Sequence, residues 1–262
     1  MRYIRHIKIP EISETGQMML GKAKVLIIGA GGLGSPAALY LALAGVGSLT
    51  IIDSDTVDES NLNRQFLHDD DDIGMEKSKS AAASLHRANP AITVHAFTER
   101  ITRDTVQCFL KGHDIVIDAS DNYETKFLLN DACILAGIPL IHGGVAGFDG
   151  QCMVILPKQT GCLRCIFQDI SRDVLSVPPG EYGVLGSVAG IIGSMQATEA
   201  IKYIIGSEGL LINKLLRYEG IHSRFSYINN QRRNNCRVCS DAADICTYTG
   251  CAPEFIDNDE TH

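Results

Sequence analysis

Residues 24–53 read KVLIIGAGGLGSPAALYLALAGVGSLTIID, and this stretch decides the fold. Residues 24–29 are a short apolar run closed by glycine, which predicts a buried strand. Residues 35–44 predict a helix: Ser35 offers a cap, Pro36 suits the first turn and Gly45 ends it. Residues 48–53 supply a second strand. The three together are a β-α-β unit with a right-handed crossover. Gly29, Gly31 and Gly34 stand between the first strand and the helix in G-x-G-x-x-G spacing. Glycines there let backbone N–H groups approach a phosphate at the positive end of the helix. Asp53 closes the second strand, where a carboxylate binds ribose hydroxyls.

Working outward, residues 76–88 predict an Ala-rich helix that stops before Pro90. Strands are expected at 92–97 and 114–118, with a helix at about 103–110 between them. A helix at 124–136 leads into a strand carrying His142. The second half changes character: 150–156 and 215–228 read as strands with hairpin spacing, separated by one long helix at 186–205. The expected fold is an α/β, Rossmann-like doubly wound sheet, with a parallel N-terminal half continued by antiparallel strands. Residues 69–72 are four consecutive aspartates, expected as a solvated loop.

Cations and an amide follow the acidic ribose ligand: Arg64-Gln65, then Lys77. A dinucleotide oxidoreductase does not need cations there, whereas charge transfer on a triphosphate does. The glycine motif alone leaves an NAD-dependent oxidoreductase open, and the fold alone leaves a non-catalytic scaffold open. The net charge of −8 argues against nucleic acid as a partner. No apolar run reaches the ~20 residues of a membrane span, and the N-terminus lacks an apolar signal core, so a cytoplasmic location is expected. The nine cysteines are then not expected to form disulfides. Cys162-x-x-Cys165 and Cys236-x-x-Cys239 form two matched pairs 70 residues apart, suited to a closed tetrahedral structural zinc site. A redox role is disfavoured on the reading that neither pair opens a helix after a strand. Cys108, Cys133 and Cys152 fall in apolar segments and are expected in the core, whereas Cys246 and Cys251 fall in the tail. His142 is expected to be structural.

The chain resembles the MoeB/ThiF/HesA family of adenylating enzymes, relatives of the ubiquitin-activating enzymes. The resembling stretches are RYIRH (2–6), residues 25–65, GMEK (74–77), NP (89–90), DASDN (118–122), AGIPLIHGGVAGFDGQ (136–151), CLRC (162–165), GVLGSVAGIIGSMQATEAIKYIIG (183–206) and CRVC (236–239). They cover most of the chain up to about residue 240. The resemblance implies one adenylation domain over 1–252. Its nucleotide-binding half would be 1–145 and its carrier- and zinc-binding half 146–240, with an acidic, disordered tail at 253–262. It implies roles as well. Gly31, Gly32 and Gly34 would lie against the phosphates of ATP, and Asp53 would hold the ribose. Ser60, Asn61, Arg64, Gln65 and Lys77 would contact the triphosphate. Asp121 would bind Mg²⁺ with Asn122 beside it. Arg5 would enter the active site of the other subunit of a homodimer, completing a catalytic set of Arg5, Arg64, Lys77 and Asp121. The implied reaction adenylates the C-terminal carboxylate of a small ubiquitin-like sulfur-carrier protein with a Gly-Gly tail, in molybdopterin- or thiamine-type sulfur transfer. Lys126 stands where the family often has arginine; the charge is kept but the bidentate fork is lost, and no catalytic role is assigned to it. Many relatives carry a cysteine shortly before GVLG, whereas here the stretch is SVPPGEYG (176–183). The acyl-adenylate is therefore expected to be the final product, with sulfur supplied by a separate donor protein.

Overall fold

A computed structural model of the chain describes residues 2–167 and 183–241. Its eight strands are β1 (Lys24–Ile28), β2 (Ser48–Ile52), β3 (Thr93–Phe97), β4 (Ile115–Asp118), β5 (Leu140–Ala146), β6 (Asp149–Ile155), β7 (Lys214–Glu219) and β8 (Arg224–Asn229). They form one sheet in the order β3-β2-β1-β4-β5-β6-β7-β8. The first five are parallel, with Leu26 opposite both Thr50 and Val116. From β5 onward the pairings are antiparallel: β5 folds back on β6 with Ala146 opposite Asp149, and β7 and β8 follow. The strand order reverses between β1 and β4, and ligands bind beyond the carboxyl ends of the strands at such a point.

The central strands β1, β2 and β4 are covered on both faces, so their sequences are largely apolar. Val25 and Ile27 join one core with Leu49, Ile51, Ile117, Ile141 and Val154. Leu26 and Ile28 face the other with Ile52, Val116, Leu140 and Met153. Side chains alternate across the pleat, which divides each strand between the two cores. The helices are α1 (Ile4–Ile7), α2 (Ser13–Lys22), α3 (Gly34–Ala44), α4 (Lys77–Ala88), α5 (Val106–Leu110), α6 (Tyr123–Ala136), α7 (Leu163–Ile166) and α8 (Gly186–Ile204). The all-round apolar α3 is wedged between the sheet and α8.

Several local expectations need correction. Ser35 does not cap α3: the helix starts at Gly34, Leu33 occupies the cap position, and the buried Ser35 hydroxyl has no partner among the described residues. Gly45 does end α3, in the left-handed conformation. The helix expected at 103–110 is shortened to Val106–Leu110. The aspartate run is not plain loop: Asp70–Asp72 form a 3₁₀ turn capped by the Asp69 carboxylate. Cys162 does open a helix, the single turn of α7. Cys133 and Cys152 are buried, whereas Cys108 is only partly so.

Candidate functional site

The glycine loop is shaped by close packing. Gly29 has φ of 99°, and a Cβ there would lie 2.6 Å from the Ala119 carbonyl oxygen; one at Gly34 would overlap the Gly29 carbonyl. Glycine is therefore required where the loop after β1 crosses the loop after β4. Among the described residues, the N–H groups of Gly31, Gly32, Leu33 and Gly34 meet no acceptor. They stand unpaired at the positive end of α3, where an anion would be favoured.

Asp53 is half-buried beside this loop. Its carboxylate accepts from Ala30 N at 2.7 Å and Asp55 N at 2.9 Å. Burial pulls its pKa up, and those two N–H groups oppose the rise. The segment after it is a capped turn. Asp58 accepts from Ser60 N, and Asn61 Oδ1 accepts from Asp58 N. Arg64 Nη1 donates to Ser60 O at 2.8 Å, and its aliphatic stem lies within about 3.5 Å of where a Gly32 Cβ would be. Gln65 is buried beside Gly31, and its Oε1 has no partner among the described residues. Lys77, in the first turn of α4, reaches Asp55 at 3.0 Å with its own side chain almost wholly buried. The turn at 59–65 thus sets the Arg64 stem and the Gln65 amide beside the unpaired N–H groups of the glycine loop, while Lys77 at the start of α4 pairs with Asp55, two residues after Asp53.

The other wall is the loop after β4. Asp121 is exposed there, and Asn122 Nδ2 donates to it at 3.3 Å. Asn122 Oδ1 accepts from Thr125 N and caps α6, so its oxygen is already engaged. Beneath the loop lies a buried polar cluster that the motifs did not reveal. Lys126 Nζ donates to Ser120 O at 2.6 Å, to Gly143 O at 2.7 Å and to both Asp118 oxygens at 3.3 Å. His142 Nδ1 donates to Asp118 Oδ2 at 2.8 Å, and its Nε2 accepts from Gln151 at 3.1 Å. Gln196 Nε2 donates to Asp118 O and Ile141 O, fastening α8 to the ends of β4 and β5. Burial pushes the Asp118 carboxyl up, but the Lys126 ammonium and the His142 and Ser120 bonds outweigh it and hold the pKa down to about 2. Burial pushes His142 the other way, below its usual value. His142 is therefore a neutral hydrogen-bonded link. The sequence singled out Lys126 and His142, but nothing in it joined them to Asp118, Gln151 and Gln196.

Arg5 is not part of this assembly in its own chain. Tyr3 stacks over Gly45 at the far end of α3 and accepts from Asn89 Nδ2 at 2.9 Å, while Arg2 donates to Ala88 O. The eleven residues of α3 make that end about 16 Å from the glycine loop. Arg5 is exposed there.

Cys162, Cys165, Cys236 and Cys239 come together, their sulfurs all within 4.8 Å of one another. Sγ–Sγ separations are 3.9 Å for Cys162–Cys165, 3.7 Å for Cys162–Cys236 and 3.4 Å for Cys165–Cys239. These are too long for disulfides. They match the edge of about 3.8 Å that a tetrahedron with Zn–S bonds of ~2.3 Å requires. The Cys162 thiol is pushed up chiefly by its contacts with Cys165 and Cys239. The stretch 176–182, Cys246, Cys251 and the acidic tail lie outside the described residues. No helix among the described residues is long and apolar enough to cross a membrane.

The sequence matches the ThiF family over residues 3–238. It is 40% identical over 240 residues to the SAMP-activating enzyme E1 of Haloferax volcanii, covering 92% of this chain and 88% of that protein. It is 42% identical over 241 residues to the adenylyltransferase and sulfurtransferase MOCS3 of Culex quinquefasciatus, covering 92% of this chain and 55% of that one. The chain therefore spans about half the length of the MOCS3 proteins it matches. Among solved structures it is similar to E. coli MccB crystallised with succinimide, at a TM-score of 0.81 and 27% identity over 92% of this chain and 74% of that one.

Proposed function

The chain belongs to the ThiF family, and from that we infer that it is an ATP-dependent adenylyltransferase acting on the C-terminal carboxylate of a small ubiquitin-like sulfur-carrier protein. The observation that carries this reading is the set of unpaired N–H groups in the glycine loop, with the Arg64 stem beside Gly32 and the Gln65 amide beside Gly31. The relatives' names give the substrate class: one activates SAMP, and another combines adenylyl and sulfur transfer.

The chemistry suits these residues. A carboxylate is already ionised at neutral pH, so the site needs no strong base. Attack on the α-phosphorus forms an acyl–phosphate bond and breaks the bond to pyrophosphate, and the site must stabilise charge on both fragments. The loop N–H groups would hold the phosphates, Asp53 the ribose hydroxyls, and Ser60 and Asn61 the turn that aims Arg64. Arg64, Gln65 and Lys77 would follow the charge onto the departing pyrophosphate. Lys77 is poised for this: Asp55 holds its ammonium in place, and that carboxylate is open to solvent. Asp121, with Asn122 beside it, would hold a Mg²⁺ that enters with ATP and neutralises part of the triphosphate charge. The four cysteines would hold a zinc ion that is purely structural, since a closed four-sulfur site leaves no open position.

The active form on this reading is a homodimer in which Arg5 completes the partner's site, because Tyr3 and Arg2 anchor α1 far from its own glycine loop. A thin Gly-Gly tail suits a narrow approach to the phosphate. The adenylate leaves the enzyme as product, and a separate donor supplies sulfur. Enzyme, ATP, Mg²⁺ and a small ubiquitin-like protein ending in Gly-Gly, followed by intact-mass spectrometry without reductant, test this. A carrier–AMP species is the expected result. A carrier–enzyme adduct released by dithiothreitol would contradict it, and loss of that adduct in Cys246→Ala or Cys251→Ala would identify the thiol.

A further inference from the structure

His68 has no place in the mechanism above, yet it is buried and touches three segments of the site. Its Nε2 lies 3.0 Å from the carbonyl oxygen of Ala30, inside the glycine loop. Its Nδ1 lies 2.7 Å from the hydroxyl of Ser80, one turn beyond Lys77 on α4. Its own N–H donates to Gln65 O, closing the turn that carries Arg64. Ser80 in turn lies 2.7 Å from Asp72, the last of the aspartate run.

We propose that His68 is a positioning residue that aims the Gly31 N–H at the phosphates of the nucleotide. In a trans peptide the carbonyl oxygen of one residue and the N–H of the next point in opposite directions. Fixing Ala30 O on His68 therefore fixes the Gly31 N–H facing away from His68, toward the open side of the loop. The preceding peptide is held as well, because Ala30 N donates to Asp53. The Ala30–Gly31 unit is thus clamped from both sides, and the unpaired Gly31 N–H is preorganised. Without His68, a loop made of glycines could rotate that peptide at little cost.

The proton bookkeeping supports the assignment. Ser80 Oγ has one proton and two neighbours that could take it, His68 Nδ1 and Asp72. Ala30 O can only accept. Whichever neighbour Ser80 serves, the ring must carry its proton on Nε2. Burial keeps the ring toward its neutral form, Asp72 and Asp53 act against this, and Lys77 acts with it. The Nε2–H bond to Ala30 survives in either form.

The proposal rests on the adenylyltransferase reading, and three variants with one spectroscopic measurement separate the two. In His68→Gln the amide nitrogen falls near Nε2 and can still donate to Ala30. In His68→Asn it falls near Nδ1, and His68→Leu has no donor. KM for ATP in carrier-dependent pyrophosphate exchange should rise about 10- to 100-fold in the Asn and Leu variants, the range for one hydrogen bond to a charged group. The Gln variant should stay within a few-fold of the parent. Equal KM in all three would overturn the proposal, as would a Leu variant that behaves like the parent. Should the Leu variant fail to fold, ¹⁵N NMR of the parent imidazole decides: Nε2 should stay protonated from pH 5 to 8, and an unprotonated Nε2 at pH 8 overturns the proposal. Absence of any exchange in the parent would instead sink the adenylyltransferase reading.

Discussion

At the scale of single residues, the buried ion pair under the Asp121 loop controls most. Lys126 binds oxygens from β4, the loop after it and β5, so removing its charge strands the Asp118 carboxylate in the core. Breaking a buried pair from one side costs about 3–5 kcal/mol, and Lys126→Met should lose that much at pH 7. The pH dependence separates this from lost packing. In the parent, Asp118 has its pKa depressed to about 2, so the pair's contribution is complete above an unfolded value of about 3.9 and is lost as pH falls through 2. In the variant, burial is opposed by His142 and Ser120 alone, so the Asp118 pKa rises and acid relieves the penalty. Urea denaturation should show a gap that is widest at neutral pH and narrows as pH falls; a gap constant with pH would contradict the account. The residues proposed to face the nucleotide were named from glycine spacing and charge, which follow from phosphate chemistry. The partners of Lys126, and the parts played by Gln151, Gln196 and His68, were not, since these buried polar contacts span 6 to 78 residues in sequence and leave no local pattern.

At the scale of elements, the parallel strands and their helices were readable from periodicity and from terminators such as Gly45. Tertiary packing overrode the local signals that failed. Ser35 lost its capping role because Gly34 presses against the Gly29 carbonyl and draws the helix start back by one residue. The aspartate run became a capped turn because Asp72 serves Ser80 and the Asp69 N–H. On the proposed reading, the contact between α3 and α8 supports the site. A Cβ at Gly193 would collide with Leu33 O and the Pro36 ring, and the start of α8 at Gly186 rests on Asn63 and Arg64. Gly193→Val should destabilise the fold by about 1–3 kcal/mol, the usual cost of overpacking. It should also raise KM for ATP, because α8 is pushed off the Arg64 turn. Unchanged stability by urea denaturation would mean the helices do not meet this closely.

At the scale of the whole molecule, two features tie distant parts together. The cysteine cluster joins the segment after β6 to the segment after β8. Cys236→Ser should lower zinc content, read by elemental analysis, and melting temperature together, because metal binding adds to folding energy. Zinc-free parent protein purified without chelator would count against the site. The homodimer proposed above would be the second. Arg5→Ala and Arg64→Ala proteins, each impaired, should recover part of the activity when mixed, since a mixed dimer keeps one intact composite site. No recovery while subunits demonstrably exchange would place Arg5 outside the reaction. The parallel half continued by antiparallel strands and the two pairs of cysteines were foreseeable from the alternation of elements and from C-x-x-C spacing. The position of α1, pinned by Tyr3 to the far end of α3, could not be read from a four-residue helix.

The central claim is that this chain moves AMP from ATP onto a carrier's carboxylate, with Asp121 managing charge at the triphosphate. Carrier-dependent exchange of labelled pyrophosphate into ATP tests it most directly, because it reports the reversible formation of an acyl-adenylate and nothing later. The account predicts exchange that requires both Mg²⁺ and a carrier ending in Gly-Gly. It also predicts a fall of at least about 10²-fold in Asp121→Ala, the scale of losing one charge-stabilising group. Undiminished exchange in that variant would remove Asp121 from the mechanism, and no exchange in the parent protein, especially alongside NADH binding, would contradict the adenylyltransferase itself.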